Sequence, residues 1–382
     1  VRLAERLERA GYETWAVGGA LRDLLLGLEV TDVDLATAAP PEVVRQLFRR
    51  TVAVGLKYGT VGVLDREHRL HEVTTFRRDV VTDGRHAVVE FGGSLADDLA
   101  RRDFTINAIA FHPLRREWAD PFGGLADLRA GIIRAVGTPT DRFREDYLRI
   151  LRALRFAARF GFAIEPATWA AAVELAPGLV RLSAERVRDE WFKGLETARS
   201  VAEFCALWRE VGAARVWLPE LYDHYPGGDP APTPRDAVVL TALVCRDPGR
   251  VLERLRGSNA EQARARALGA GPHQPASPSE ADVRRWLHTV GPHADDLLLL
   301  ARYRAGRDSP PPAWTETVQA VRARGDPVSR SALAVTGDDL LALGFPPGPA
   351  VGAALDRLLS LVLEDPSRNT RERLLEAARA WR

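Results

Sequence analysis

Gly18-Gly19-Ala20-Leu21-Arg22-Asp23, followed at the distance of one short helix by Thr31-Asp32-Val33-Asp34-Leu35-Ala36-Thr37, is the stretch on which the fold turns. Two glycines ahead of the helix-forming run Leu21 to Leu26 let backbone N–H groups and a helix N-terminus approach phosphate oxygens with no Cβ in the way. The second segment reads as a strand from Asp32 to Leu35, and residues two apart on a strand project from the same face. Asp32 and Asp34 so placed can hold one or two divalent ions. Beside a phosphate cradle they point to phosphoryl-type transfer, in which ions about 3.5–4 Å apart activate the attacking oxygen and brace the leaving phosphate. By itself an Asp-x-Asp also describes solvated carboxylates at a strand end, and the flanking Gly-Gly-x-x-Arg-Asp is what separates the two readings.

At 382 residues the chain is long enough for two to four compact units. A net charge of +1 gives no global attraction to nucleic acid or membrane, so a polyanion site has to be a local patch. Arginine supplies the positive charge almost alone, Lys57 and Lys193 being the only lysines, so the position of an arginine carries more information than its abundance. Cys205 and Cys245 are the only cysteines and lack metal-ligand spacing, which fits a reducing cytoplasm. The opening Val1-Arg-Leu-Ala-Glu-Arg-Leu is charged rather than signal-like, no apolar run is long enough to span a bilayer, and the absence of an initiator methionine suggests a trimmed chain. The scattered histidines include no HExxH, which argues against a zinc hydrolase.

Short β-like runs (13–17, 32–35, 59–64, 71–76) mix with helices such as 41–48 in the first third, an α/β texture. From about Thr140 it becomes helix after helix, at 142–159, 166–175, 183–195 and 201–211, with proline-rich punctuation at 226–234, 272–278 and 310–312. Two polar clusters sit on this frame. In Arg101-Arg102-Asp103-Phe104-Thr105-Ile106-Asn107, Asp103 reads as a helix start, and Arg102, Asp103 and Asn107 supply a donor fork, an acceptor and an amide able to grip a triphosphate and a ribose hydroxyl; an N-capped helix with surface arginines is the plainer reading. In Arg144-Glu145-Asp146-Tyr147-Leu148-Arg149-Ile150-Leu151-Arg152, the three-residue spacing of Asp146, Arg149 and Arg152 puts them on one helical face, which an ion-paired surface would also explain. A paired Asp and Arg has a specific chemical use. Cytosine and adenine both present an amino donor beside a ring-nitrogen acceptor, which one carboxylate and one guanidinium read together, whereas uracil and guanine invert that order.

These segments, with Arg155 and Ser183-x-Glu185-Arg186-x-x-x-Glu190-x-x-Lys193-x-Leu195, follow one another in an order that closely resembles the class II tRNA nucleotidyltransferases, the bacterial CCA-adding enzymes and their poly(A) polymerase relatives. The resemblance covers residues 1 to about 200, and Leu333 to Pro349 looks like the family's tail segment. It implies an α+β fold: a polymerase-β-like head (1–136), then an all-α neck with a nucleotide-templating helix (137–198), body (199–306) and tRNA-binding tail (307–382). It implies Mg2+ on Asp32 and Asp34; nucleotide contacts at Gly18, Gly19, Arg22, Arg102, Asp103, Asn107, Arg152 and Arg155; and pairing of Asp146 and Arg149 with CTP or ATP. The implied partner is the acceptor end of tRNA, in the cytoplasm and away from membranes. Between Thr75-Phe76-Arg77 and Ser94-Leu95 the family carries a flexible loop that switches CTP for ATP; here its core Asp83-Gly84-Arg85-His86 matches, while the proline often found next is Ala87. Glu72, on the strand before that loop, reads as a solvated carboxylate or a third acidic group near the metals. The alternatives are relatives that add only CC, only A or oligo(A), and a noncatalytic RNA-binding protein, which would have lost a metal carboxylate or the cradle.

Overall fold

A computed structural model of the chain describes residues 1–30, 32–55, 59–82, 87–224, 229 and 235–381. Two compact units divide it after Pro219.

The first unit opens with α1 (Arg2–Arg9), which buries Ala4 and Leu7, and then β1 (Thr14–Val17). Every residue of β1 is buried, as expected of a central strand covered on both faces. The chain continues through α2 (Gly19–Leu25), β2 (Asp34–Thr37), α3 (Pro41–Leu47), β3 (Thr51–Gly55), β4 (Thr60–Leu64) and β5 (Leu70–Thr75). A separate hairpin of β6 (Arg77–Thr82) and β7 (Ala87–Phe91) leads to α4 (Leu95–Ala100), β8 (Ala110–His112), β9 (Glu117–Ala119), α5 (Gly124–Ala130) and β10 (Ile132–Ile133). The main sheet runs β3-β4-β5-β2-β1-β8-β9 and is mixed: β2 and β5 are parallel, with Leu35 opposite Val73, and the other pairs antiparallel. Its two faces feed two cores. Ala16, Leu35, Val61 and Val73 pack under Leu7, Leu21 and Val44, while Trp15, Val17 and Ala36 pack with Phe76, Leu99 and Ala108. Alternation along the strands produces this division and sets the direction of Asp34, two residues before Ala36.

Strand β2 corrects one expectation. It begins at Asp34, opposite Val17 of β1, so Asp32 lies before the strand rather than on it. The β1–β2 ladder ends at Val17–Asp34, where β1 gives way to Gly18 and α2.

The helical part of this unit contains α6 (Pro139–Glu145), α7 (Leu148–Phe160), β11 (Ala163–Ile164, parallel to β10), α8 (Pro166–Leu175), α9 (Ala184–Thr197), α10 (Val201–Glu210) and α11 (Ala213–Trp217). The single helix expected over 142–159 is two. Asp146 adopts an extended backbone (φ −154°, ψ 105°), ending α6, so Asp146 and Arg149 do not share a helix face. Apolar spacing continues through the junction (Phe143, Tyr147, Leu151, Leu154), which is why the pattern reads as unbroken. What stops it is tertiary: the Tyr147 ring is buried against Gly178, where an added Cβ would fall 2.0 Å from Tyr147 Cε1. Helix α7 is buried on most of its circumference and stops at Gly161 in the left-handed region (φ 67°), a conformation glycine adopts without a Cβ penalty.

The second unit is helical: α12 (Ala237–Val244), α13 (Pro248–Arg254), α14 (Asn259–Ala270), α15 (Glu280–Val290), α16 (Ala294–Ala305), α17 (Trp314–Ala323), α18 (Gly337–Ala342), α19 (Pro349–Glu364) and α20 (Arg371–Arg379). Helix α12 is buried at every residue. The Leu333–Pro349 segment forms α18, closed at its start by a reciprocal Thr336–Asp339 capping box, and its Leu340 packs with Leu358, Leu359, Val362 and Leu374. Among the described residues no helix is long and apolar enough to cross a membrane.

Candidate active site

A cavity of about 580 Å³ in the first unit gathers most of the residues singled out in the sequence. Gly18, Gly19, Arg22, Asp34, Arg102, Asp103, Asn107, Asp146, Arg149, Arg152 and Arg155 all line it. Nine arginines and five carboxylates face this space, a local excess of cationic groups in a chain of nearly balanced charge.

The cradle forms one wall. Gly18 has φ +86°, and a Cβ there would come 3.2 Å from Arg102 Nη1 and 3.6 Å from Asp34 Oδ2, so the glycine keeps open the corner where a cation-bearing side chain meets a carboxylate. The Asp34 carboxyl is raised above its ordinary range, first by burial and then by Glu72, against the lowering influence of Arg102, with a smaller push from Asp32. Crowded carboxylates whose charge is disfavoured this way gain from a bound cation. Asp32 is exposed beside this corner and is not among the lining residues. Among the described residues no three His, Cys, Asp or Glu side chains converge as a complete metal cage. Two carboxylates, completed by phosphate oxygens and water, nevertheless suit Mg2+, which dehydrates reluctantly and seldom takes an all-protein shell.

Sequence reading left Glu72 open between two roles. The parallel β2–β5 register, with Leu35 opposite Val73, brings it beside Asp34, where it lines the cavity although exposed.

A continuous polar network forms the floor. Arg22, buried and 4.9 Å from the centroids of both Phe156 and Phe160, donates from Nε to Asp23 Oδ1 (2.8 Å) and from Nη1 to Asn107 Oδ1 (2.5 Å). Asn107 Nδ2 donates to Asp103 Oδ1 (2.8 Å), which also accepts from Phe104 N (2.9 Å), and Arg152 Nε donates to Asp103 Oδ2 (2.7 Å). Burial pushes the Asp103 carboxyl up, but Arg152, Asn107 and the Phe104 amide together outweigh it and hold it at about 2. Asp103 does not start an α-helix as its sequence suggested: Phe104 is extended and bridges to Ala135, and only the single 3-10 turn Thr105–Asn107 follows. Arg155 is buried and donates from Nε to Glu190 Oε2 of α9 (2.5 Å).

The α6–α7 junction makes the opposite wall. Asp146 Oδ1 accepts from Leu148 N (3.0 Å) and Oδ2 from Arg186 Nη2 (2.7 Å). Arg149 Nη1 donates to Glu145 Oε2 (2.7 Å) and to the Arg142 carbonyl (3.0 Å), and Nη2 donates to the Arg101 carbonyl (3.1 Å). Both side chains still reach the cavity, from a helix break and a first helical turn rather than from one face. Asp98, which the sequence reading missed, is buried on α4 and accepts from Arg102 Nη2 (3.1 Å); an acidic residue four before Arg102 on a helix was the available signal. Asp83, Gly84, Arg85 and His86 lie outside the described residues.

Residues 14–134 match the family described as "Poly A polymerase head domain", and residues 161–224 match "Probable RNA and SrmB- binding site of polymerase A". The CCA-adding enzyme of Latilactobacillus sakei is 35% identical over 99% of this chain and 96% of its own length, and that of Limosilactobacillus fermentum is 35% identical over 98% and 95%. Among solved structures, the Bacillus stearothermophilus CCA-adding enzyme in complex with CTP superposes with a TM-score of 0.82 at 34% identity, covering 100% of this chain and 96% of that one. With its nucleotidyltransferase head, helical remainder and near full-length similarity, the chain belongs to the family of CCA-adding enzymes.

Proposed function

We propose that this protein completes tRNA 3′ ends by adding CCA from CTP and ATP without a nucleic-acid template, its own side chains choosing the base. One observation carries the reading: a single cavity joins the Gly18–Asp34 corner, an arginine-lined floor and the Asp146–Arg149 wall. The triphosphate lies against Gly18, Gly19, Arg102 and Arg152, whose charge offsets its own. Arg22 and Arg155, both buried and ion-paired, hold the floor in place. Asp103 and Asn107 meet the ribose hydroxyls.

Asp32 and Asp34 would hold Mg2+, which when bound supplies Lewis acidity and eases deprotonation of the primer's terminal hydroxyl. Asp146 retains lone pairs to accept the amino group of cytosine or adenine. Three of the five N–H groups of Arg149 are engaged within the protein, so others remain to donate to the ring nitrogen. Uracil and guanine would set carbonyl against carboxylate and N–H against guanidinium, a buried mismatch that discriminates strongly. Head (1–136), neck (137–198), body (199–306) and tail (307–382) are retained as functional divisions, the tail meeting tRNA. The buried thiols of Cys205 and Cys245 support a cytoplasmic setting.

The test is extension of a tRNA that lacks CCA. CTP alone should give two additions, CTP with ATP should give CCA, and UTP or GTP should give none. A product halted at CC with ATP present would make the protein a CC-adding relative; addition of A only to tRNA already ending in CC would make it an A-adding one. No extension at all would leave an RNA-binding role.

A further inference from the structure

The Asp146 carboxylate reaches the cavity from a helix break, not from a helix, so its own backbone does little to aim it. Two contacts supply the aim. Oδ1 accepts the Leu148 amide at 3.0 Å and so caps the first turn of α7, while Oδ2 accepts from Arg186 Nη2 of α9 at 2.7 Å. With each oxygen held from a different element, the plane of the carboxylate is fixed, and Asp146 lines the same cavity as Arg186 and Arg149. Arg149 is independently tied to Glu145 and to the Arg142 and Arg101 carbonyls, so Arg186 acts on the Asp half of the pair alone.

We infer that Arg186 is the positioning residue for base selection: it orients Asp146 so that the carboxylate accepts an amino group and rejects a carbonyl. The inference rests on the reading of Asp146 as a base-pairing group and deepens it. The guanidinium faces the same space as the arginines of the floor, and the competing role is therefore a direct contact with the triphosphate, which every nucleotide shares. The two roles differ in what they predict for different bases. A positioning role changes the ratio between nucleotides; a phosphate contact changes all of them alike. Arg186 is a third exposed in its side chain, and its loss leaves no deeply buried charge behind.

The experiment compares kcat/KM for CTP and UTP on tRNA lacking CCA, for wild type, Arg186→Ala, Arg186→Lys and Asp146→Ala, with the melting temperature of each variant as a check on folding. Direct binding of CTP and of UTP in the absence of tRNA gives a readout independent of turnover. Arg186→Ala should lower the CTP/UTP ratio about tenfold or more, the range of one charge-assisted hydrogen bond. Arg186→Lys should restore part of that loss, since an ammonium can donate to one oxygen without the planar fork. The binding ratio should move in the same direction. An unchanged CTP/UTP ratio in Arg186→Ala, with both nucleotides weakened equally, would overturn the inference in favour of a phosphate contact. If Asp146→Ala also kept the wild-type ratio, the reading of Asp146 itself would fall. A ratio lost in Asp146→Ala but kept in Arg186→Ala would remove only the role given to Arg186.

Discussion

Asp103–Arg152 in the first unit and Arg284–Asp326 in the second are both ion pairs with little exposed carboxylate, and they are built for different ends. Arg284 is sealed: its side chain is 4% exposed, Nη1 pairs with Asp326 (3.0 Å), Nε donates to the Leu363 carbonyl (2.7 Å) and Nη2 to the Glu364 carbonyl (3.0 Å). Its donors thus close the C-terminal end of α19, where helix carbonyls lack intrahelical partners. Arg152 directs two donors onto the one oxygen Asp103 Oδ2, is 33% exposed, and turns that exposed part toward the cavity. A guanidinium whose three nitrogens all bond protein acceptors holds structure together. One bonded to a single carboxylate oxygen, with Glu190 only at 4.0 Å, and left open to a cavity keeps capacity for a ligand.

Exchanging Arg152 for methionine, which keeps much of the volume and removes the charge, should show the largest effect. Transfer should fall roughly a hundred- to a thousandfold, the range for deleting one preorganised donor at a reacting group. Single-turnover extension with CTP measures it, and a loss below about fivefold would mean that Arg152 serves Asp103 and nothing else.

Arg284→Met should leave the cavity untouched and strike stability instead. Asp326 keeps Arg324 as a second donor, so the loss is set by the two buried carbonyls left without a partner and should be about 2–3 kcal/mol. Urea unfolding followed by tryptophan fluorescence, to which Trp286, Trp314 and Trp381 of the second unit contribute, should report this loss, with CTP binding retained at low denaturant. Equal stability in the variant would mean that water satisfies those acceptors.

The contrast between these pairs was only half legible in the sequence. Gly18, Gly19 and Asp34 could be placed because a cradle and a strand carboxylate are local features, and the strands read at 59–64 and 71–76 fall within a residue of those observed. Strands β8 and β9 are not legible because three residues each carry too little alternation to rise above their surroundings. Asp146 reads as helical because Phe143 before the break and Tyr147, Leu151 and Leu154 after it keep a helical rhythm, and the contact of the Tyr147 ring with Gly178 joins residues 31 apart in sequence. Nothing in the sequence around Arg284 marks it out. It sits in an ordinary amphipathic helix, and its carbonyl partners lie about 80 residues later in the chain, so only the tertiary structure reveals its importance.

Acid should separate the pairs further. Asp103 titrates at about 2 in the folded protein, against about 3.9 in an unfolded chain. A carboxyl lowered on folding contributes stability that is fully present above the unfolded value and lost as pH falls through the folded one. The window therefore runs from about pH 4 down to about pH 2, and a shift of this size corresponds to roughly 2–3 kcal/mol. Asp103→Asn cannot titrate there. The difference in unfolding free energy between wild type and this variant should be constant from pH 7 to pH 5 and shrink below pH 4. A difference independent of pH down to 2.5 would show that Asp103 is not held low.

The smallest effect is expected where the same chemistry is left in water. Arg330 and Asp356 form a two-point pair from a 3-10 turn to α19, and both side chains are about half exposed. High dielectric and the entropy of fixing two long side chains cancel most of the attraction, and salt screens the rest. Arg330→Ala should therefore leave the melting temperature and the urea midpoint unchanged within error, and raising the salt should not distinguish it from wild type. The pair has good bidentate geometry, so it tests whether geometry or burial decides the worth of these arginines. A clear loss of stability at low salt that disappears at high salt would favour geometry and weaken the distinction drawn between Arg284 and Arg152. No loss at either would confirm that removal from water, with every guanidinium nitrogen engaged, is what makes Arg284 structural.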